Sequence, residues 1–116
     1  GYVDYICPQI YFGFENSTSP YAETVAQWND LIRLSSVDLL VGLAPYKVGT
    51  EDTWAGDGKN EWKNHSDLLS RMVECAREEQ QYDGFVLFRY DSVFHPAAAV
   101  KSQINKEINN LKTVLE

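Results

Sequence analysis

The chain has 116 residues, which suffice for one domain with a single hydrophobic core. Hydrophobic residues make up 44% and charged residues 23%, a globular composition that excludes a disordered or fibrous chain. The net charge of −7 argues against nucleic-acid binding, which needs a basic surface. No apolar run approaches the roughly 18 residues of a membrane span.

The start of the chain predicts that it is a piece of a longer protein. It begins GYVDYICPQIYF, inside an apolar run and without an initiator Met. The lack of a secretion signal in these residues therefore says nothing about the compartment of the whole protein.

Three short apolar runs are predicted to be β-strands. Each has an Asp near its start and closes on a tyrosine seven or eight residues later, giving Asp4–Tyr11, Asp38–Tyr46 and Asp83–Tyr90. The runs are apolar on both faces, which is typical of central strands in a parallel sheet. Pro8 conflicts with the first strand, because it cannot donate a hydrogen bond to a neighbouring strand.

Helical patterns follow each strand. The first helix is predicted to start at Ser19-Pro20, with the serine as N-cap and the proline at the first helical position. The second begins between residues 60 and 66, and the final helix covers about residues 96–116, with Pro96 as its first residue. The order β-α-β-α-β-α predicts right-handed crossovers that put all the helices on one face of the sheet.

Loop lengths and chain size together predict part of a barrel. Loops 12–18 and 47–59 follow strand ends, whereas the links from helix back to strand are short, which is typical of α/β proteins whose site lies at the C-terminal ends of the strands. A complete TIM (β/α)8 barrel takes about 250 residues. The predicted fold class is therefore α/β: residues 1–116 form a single fragment, a partial TIM barrel of about three consecutive β/α units with a parallel sheet. The alternative is a self-contained α/β domain that covers both faces of its own sheet.

The strand-closing tyrosines are the first candidate site residues. Alternation of side chains puts Gln9 and Tyr11 on one face of the first strand, and it brings Tyr46 and Tyr90 to the same rim of the sheet. Aromatic faces and hydroxyls suit sugar rings, which present apolar C–H patches and many hydroxyl groups. The alternative is that the tyrosines only close the barrel core.

Three further residues are candidates for substrate binding. Gln9 is an amide on an apolar strand and needs a partner, either a structural network or a substrate hydroxyl. Lys47 is either a solvated loop residue or a donor to a glycan. Trp54 lies in a polar loop, where an indole gains little unless it packs under its own loop or stacks on a sugar.

The carboxylates at the predicted rim do not form a recognisable pair of acid and nucleophile. Asp91, directly after Tyr90, is the best-placed catalytic candidate, and a loop-capping role is its alternative. His95 is a weaker candidate. No spacing of Cys or His matches a metal site, so neither a metal nor a cofactor is expected.

These motifs resemble a bacterial family. The segments VDYICPQIYF, LLVGLAPYKVG and YDGFVLFRYDSVF are similar to the C-terminal part of the glycosyl hydrolase-like 10 family, a former domain of unknown function. The resemblance covers most of residues 2–95, and Arg89 departs from it, because a small residue is expected there. It implies a TIM barrel of which this chain forms about the last three units.

The resemblance also implies a function. The family's motifs place Gln9, Tyr11, Tyr46, Lys47 and Tyr90 at the substrate-facing strand ends. It implies hydrolysis of glycosidic bonds in a polysaccharide, with bacterial cell-wall glycan as the substrate class, and an extracellular or cell-envelope location. Since the acid/base of such barrels commonly comes from a middle strand, this chain alone is expected to be inactive. The alternatives are a non-catalytic carbohydrate-binding barrel and a chitinase-like glycosidase.

The barrel interpretation has a consequence for the isolated chain. One face of its sheet and two strand edges are expected to be uncovered, and both tend to associate. The isolated chain is therefore expected to form a homo-oligomer, in the simplest case a symmetric dimer. A self-contained domain would instead be a monomer.

Overall fold

The computed structural model describes residues 4–32 and 36–115, and of Tyr90 it describes only the backbone. The predicted boundaries of the fragment, residues 1 and 116, lie outside this part. The strands and helices in chain order are β1 (Tyr5–Ile6), α1 (Tyr21–Leu31), β2 (Asp38–Leu43), α2 (Glu61–Asn64), α3 (Leu68–Ala76), β3 (Tyr82–Leu87), α4 (Tyr90–Phe94) and α5 (Lys101–Leu115). Short 3₁₀ turns cover Pro45–Lys47, Gly56–Gly58 and Ala98–Val100.

The three strands form one parallel sheet in the order β1-β2-β3, which confirms the predicted α/β class and the strand direction. β1 pairs with β2 through Ile6 and Leu39. Pairing then stops at Pro8 and resumes in a single bridge between Gln9 and Gly42. Pro8 takes part through its carbonyl, which accepts the Gly42 N–H at 3.0 Å. The Pro8 nitrogen faces β2, as its carbonyl does, and has no proton to donate, so the proline interrupts the pairing of the two strands after Ile6.

The prediction that the third strand closes on Tyr90 is wrong. β3 ends at Leu87, and the Phe88 N–H makes one more bond to the sheet, donating to the Leu43 carbonyl at 2.9 Å. The chain then turns into α4, of which Tyr90 is the first residue. The strand ends earlier because β2 itself ends at Leu43 and offers no further partners.

The start of α1 also differs from the prediction. The helix begins at Tyr21 with Pro20 as its N-cap, and no side chain caps it. The Asn16 side chain organises the preceding turn instead, since its Oδ1 accepts the N–H groups of Thr18 and Ser19, each at 2.9 Å. This is the Asx-type turn that asparagine favours.

The two later helices also differ from the prediction. The predicted second helix consists of α2 and α3, which are separated by residues 65–67. The final helix α5 begins at Lys101 rather than at Pro96, and the residues just before it, Ala98–Val100, form a 3₁₀ turn. The apolar positions that predict these helices start at Leu69 and Val100, so the pattern does not define the residues that precede them.

The hydrophobic core lies on one face of the sheet. Leu39, Val41 and Leu43 of β2 have no exposed surface, and they belong to one cluster with the buried residues of α1, α3 and α5. α3 packs against both α1 and α5. The helices thus lie together on one side, as predicted.

The opposite face of the sheet is uncovered in the described part of the chain. Tyr5, Val86 and Phe88 are 59%, 48% and 46% exposed. Gln9 is exposed on the same face, whereas its neighbour Ile10 is buried in the core. We call this surface the uncovered face. In a self-contained domain, other parts of the chain would cover this face, and the described residues do not.

Glu107 is a buried carboxylate that joins α5 to α3. Its side chain has no exposed surface. Its two oxygens accept the N–H groups of Leu68 and Leu69, at 3.1 and 2.9 Å, in the first turn of α3. Glu107 thereby satisfies donors that the N-cap residue of α3, Asp67, leaves without a side-chain partner.

We expect the contribution of Glu107 to stability to fall as the pH rises from about 4.5 to 6. Burial raises the pKa of this carboxyl from 4.5 to about 6, and the two N–H bonds oppose that shift only in part. In this window the folded state keeps a proton that the unfolded chain releases, so stability is lost as the pH rises. The loss amounts to about 2 kcal/mol.

Urea unfolding of the wild type and of Glu107→Gln at about pH 4 and pH 7 measures this contribution. The amide does not titrate, so the wild type should lose about 2 kcal/mol more than the variant between the two pH values. Groups that titrate alike in both proteins cancel in this comparison. An equal loss in the two proteins would show that Glu107 does not titrate in this range.

Candidate functional site

Three aromatic rings meet at the C-terminal end of the uncovered face. The Tyr11 ring lies 5.8 Å from Tyr46, edge to face, and 6.1 Å from Phe88, nearly stacked. Tyr46 and Phe88 are 6.3 Å apart, edge to face. These distances join ring centroids and lie in the range in which aromatic pairs attract. We call Tyr11, Tyr46 and Phe88 the three-ring cluster.

Each strand contributes one ring to the cluster. Tyr11 follows the Gln9 bridge of the first strand, and Tyr46 lies in the 3₁₀ turn after β2. Phe88 follows β3 directly and occupies the place predicted for Tyr90, whose side chain lies outside the described part. Sequence reasoning missed Phe88 as a site residue, although alternation along β3 puts it on the same face as Tyr90.

The two phenols of the cluster remain protonated at neutral pH. Partial burial is the main cause that raises the pKa of Tyr11 above its usual value of 10, and the Tyr46 phenol adds to it. Burial raises the pKa of Tyr46 in the same way, with a smaller effect of the Asp52 carboxylate. Neutral hydroxyls both donate and accept hydrogen bonds, so the cluster suits a ligand with hydroxyl groups.

Gln9 is exposed on the uncovered face and pairs with Gly42 through its backbone. The helices cover only the opposite face of the sheet, which leaves the Gln9 amide open to solvent in this chain. Whether the amide meets a structural partner or a substrate hydroxyl stays a prediction. Gln9 does lie on the same face as Tyr11, as alternation predicts.

Two clefts share Tyr46 as a wall. The larger has a volume of about 300 Å³ and includes Asp91 and His95. The smaller, about 240 Å³, includes Phe88 and Arg89. Asp91 is exposed in the first turn of α4. The structure thus places the predicted carboxylate in a cleft beside the three-ring cluster.

Lys47 is mostly buried and fixed by contacts within the chain. Its ammonium group donates to the backbone carbonyl of Tyr11 and, at 3.2 Å, to the Asp52 carboxylate. The side chains of Lys47 and Asp52 are 18% and 12% exposed. The ammonium also lies 6.0 Å from the centre of the Phe12 ring. Lys47 is therefore not a solvated loop residue: it joins the end of the first strand to loop 47–59.

Trp54 is 89% exposed. It lines a third cleft, of about 250 Å³, together with Phe12, Lys47 and Asp52, and with residues of the neighbouring loop. We call this the Trp54 cleft. The exposure excludes the alternative that the indole packs under its own loop. Whether it contacts a substrate stays a prediction, as it does for the other candidates.

Sequence reasoning missed the residue that fixes loop 12–18. Glu61 of α2 is 2% exposed and accepts the N–H groups of Phe14 and Glu15, each at 2.9 Å. The Arg71 guanidinium lies 4.7 Å from the centre of the Phe14 ring. Burial raises the pKa of the Glu61 carboxyl. No sequence signal marks Glu61, which looks like an ordinary polar residue at a helix start.

The site offers more for binding than for proton transfer. Among the described residues, Asp52 and Asp91 are the carboxylates that line the three clefts, and Asp52 is paired with Lys47. Within the same residues, no group of three or more His, Cys, Asp or Glu is placed to hold a metal ion. No helix of the described part has the length and apolar character needed to cross a membrane.

Much of the sequence is similar to part of curated glycosyl hydrolases. The chain is 34% identical over 101 residues to proteins named glycosyl hydrolase DigH from Escherichia coli and from Shigella flexneri. The match covers 83% of this chain and 21% of each relative, so the chain spans about one fifth of the length of the curated relatives it matches. No protein-family model matches it. The similarity supports the predicted relation to glycosyl hydrolases, and membership of the glycosyl hydrolase-like 10 family stays a prediction.

Proposed function

We propose that this chain is the C-terminal part of a glycoside hydrolase that acts on a polysaccharide, with bacterial cell-wall glycan as the substrate class. Its role is to supply an aromatic substrate cleft. The observation that carries the proposal is the three-ring cluster, which lies where three parallel strands end on an uncovered face. The similarity to proteins named glycosyl hydrolase supports the same class of reaction.

Physical chemistry links the cluster to a sugar ligand. A sugar ring presents an apolar face of C–H groups, which stacks on an aromatic ring, and hydroxyls around its edge. Phe88 offers an apolar ring that is 46% exposed, and Tyr46 combines a ring with a protonated hydroxyl. The cluster therefore matches both parts of a sugar.

We propose a partial TIM barrel as the architecture. In a complete barrel the uncovered face would be the barrel interior, and the three-ring cluster would lie at the C-terminal rim, where barrel enzymes bind their substrates. The apolar exposure of Val86 and Phe88 supports association of the isolated chain into a homo-oligomer. An extracellular or cell-envelope location belongs to the same proposal.

In this proposal, the catalytic residues lie outside these clefts. Glycoside hydrolysis generally needs two carboxylates, one as acid and one as nucleophile or base. Asp91 is the one cleft carboxylate among the described residues that is not paired with a lysine. The same observation favours a second candidate function, a carbohydrate-binding barrel that does not cleave its ligand.

Alanine substitutions in the cluster test the proposal. In the full-length protein that carries these residues, Phe88→Ala and Tyr46→Ala are expected to weaken binding of an N-acetylglucosamine hexamer about tenfold each, because a stacking surface is lost. Titration calorimetry measures the change. Tyr46→Phe keeps the ring and separates the contribution of the hydroxyl.

Leu31→Ala is the control for these variants. Leu31 is 62% exposed at the end of α1, a helix on the covered side of the sheet. This variant should bind the hexamer as the wild type does. Unchanged binding in Phe88→Ala and Tyr46→Ala, with both proteins folded, would refute the proposed cleft.

A further inference from the structure

We propose that the Trp54 cleft is a second sugar-binding subsite, divided from the three-ring cluster by a fixed ridge of backbone. The inference rests on the proposed function, since both subsites would hold units of one glycan chain. Two observations support it. Residues that are adjacent in the sequence belong to different sites, and the indole of Trp54 is exposed.

Two pairs of adjacent residues send their side chains to different sites. Tyr11 belongs to the three-ring cluster, whereas the next residue, Phe12, lines the Trp54 cleft. Tyr46 belongs to the cluster, and the next residue, Lys47, lines the Trp54 cleft. The backbone at these two places therefore forms a ridge with one site on either side.

The ridge is held by several bonds. The Lys47 ammonium group donates to the Tyr11 carbonyl and joins the two backbone segments across it. The Lys47 N–H donates to the Ala44 carbonyl at 3.1 Å, and the Lys47 carbonyl accepts the Thr50 N–H at 2.9 Å. The relative positions of the two sites are thereby fixed before a ligand binds, which reduces the entropy lost on binding.

The Trp54 cleft has the chemistry of a site for a neutral sugar. Asn16, Thr18 and Ser19 line its wall, and all three have polar side chains. Its two charged groups, Lys47 and Asp52, neutralise each other at 3.2 Å. The cleft therefore presents polar groups and an indole without a net charge from this pair. A sugar ring that stacks on the indole would meet hydroxyl partners beside it.

The indole is presented on a closed turn. The Ala55 N–H donates to the Asp52 carbonyl at 3.0 Å, and the Asp52 N–H donates to the Lys59 carbonyl at 2.8 Å. Trp54 lies between these bonds and remains 89% exposed. A ligand that covers this large apolar ring removes it from water, which stabilises the complex.

A ligand that occupies both subsites must cross the ridge between them. We therefore infer that a short oligosaccharide fills only the three-ring cluster, whereas a longer chain also covers Trp54. The Trp54 cleft would then select for polymeric glycan by adding affinity only for longer chains.

Two ligand lengths test the inference in the full-length protein. In Trp54→Ala, binding of the N-acetylglucosamine hexamer is expected to weaken about tenfold, while binding of the dimer stays unchanged. Phe88→Ala should weaken both ligands, because it alters the cluster. Trp54→Phe keeps an aromatic ring and should restore most of the hexamer affinity.

The outcomes are distinguishable. Equal weakening of dimer and hexamer by Trp54→Ala would indicate a single site and overturn the inference, as would no change with either ligand. If the wild type binds neither ligand, the proposed function fails, and the inference fails with it. Thermal unfolding serves as the control for folding, and the exposed position of Trp54 predicts an unchanged midpoint for Trp54→Ala.

Discussion

Replacement of Glu61 by alanine is expected to lower the free energy of unfolding by about 3 kcal/mol. The carboxylate is 2% exposed and accepts the N–H groups of Phe14 and Glu15. Its removal leaves both donors without an acceptor, and each costs about 1–3 kcal/mol when it is shielded from water. Urea unfolding of the two proteins measures the difference.

Glu51→Ala is the matched control. The Glu51 carboxylate is 45% exposed and lies 3.8 Å from the Lys59 ammonium group, so its loss should change stability by less than about 0.5 kcal/mol. Glu61→Gln keeps one carbonyl acceptor and should fall between wild type and Glu61→Ala. Equal stabilities of Glu61→Ala and Glu51→Ala would show that Glu61 does not anchor loop 12–18.

Gly58→Ala is expected to destabilise the fold by about 2–3 kcal/mol through overpacking. A Cβ at Gly58 would lie 2.1 Å from the Glu15 carbonyl oxygen and 2.9 Å from the Asn16 nitrogen. Both are backbone atoms, so one of the two loops would have to move. Gly58 is not among the glycines with positive φ, so alanine is excluded by space and not by backbone conformation.

Gly84→Ala is the control for this substitution. A Cβ there would meet the Leu40 side chain at 3.4 Å, an ordinary contact, so stability should change by less than about 1 kcal/mol. Chemical denaturation of both variants measures the difference. The Ser17 N–H donates to the Ala55 carbonyl at 3.0 Å across the same junction, so Gly58→Ala should also weaken hexamer binding at the Trp54 cleft. Matching denaturation curves for the two glycine variants would contradict the close approach of the loops.

The sequence predicts the faces of the sheet better than the ends of its elements. Alternation follows from strand geometry alone, so Tyr11 and Gln9 were correctly assigned to one face and the helices to the other side. The end of a strand depends on its neighbour. β3 stops at Leu87 because β2 stops at Leu43, which places Phe88 rather than Tyr90 beside the other rings.

The loops were predicted least well. Their conformations depend on bonds between distant segments, such as those from Glu61 to loop 12–18 and from Lys47 to Tyr11. No local pattern encodes such pairs. The sequence did single out Lys47, which follows a predicted strand end, and Trp54, an indole in a polar loop. It could not show that the Lys47 side chain is held by contacts within the chain and that the Trp54 side chain is exposed.

The two borders of the sheet are unequal. β1 pairs with β2 through two residues before Pro8, whereas β3 runs for six residues at the other border, with a register shift opposite Leu39 and Leu40. The longer border strand has more backbone groups to offer to an added strand. A further strand, from the same polypeptide or from another molecule, therefore finds more hydrogen-bond partners alongside β3 than alongside β1.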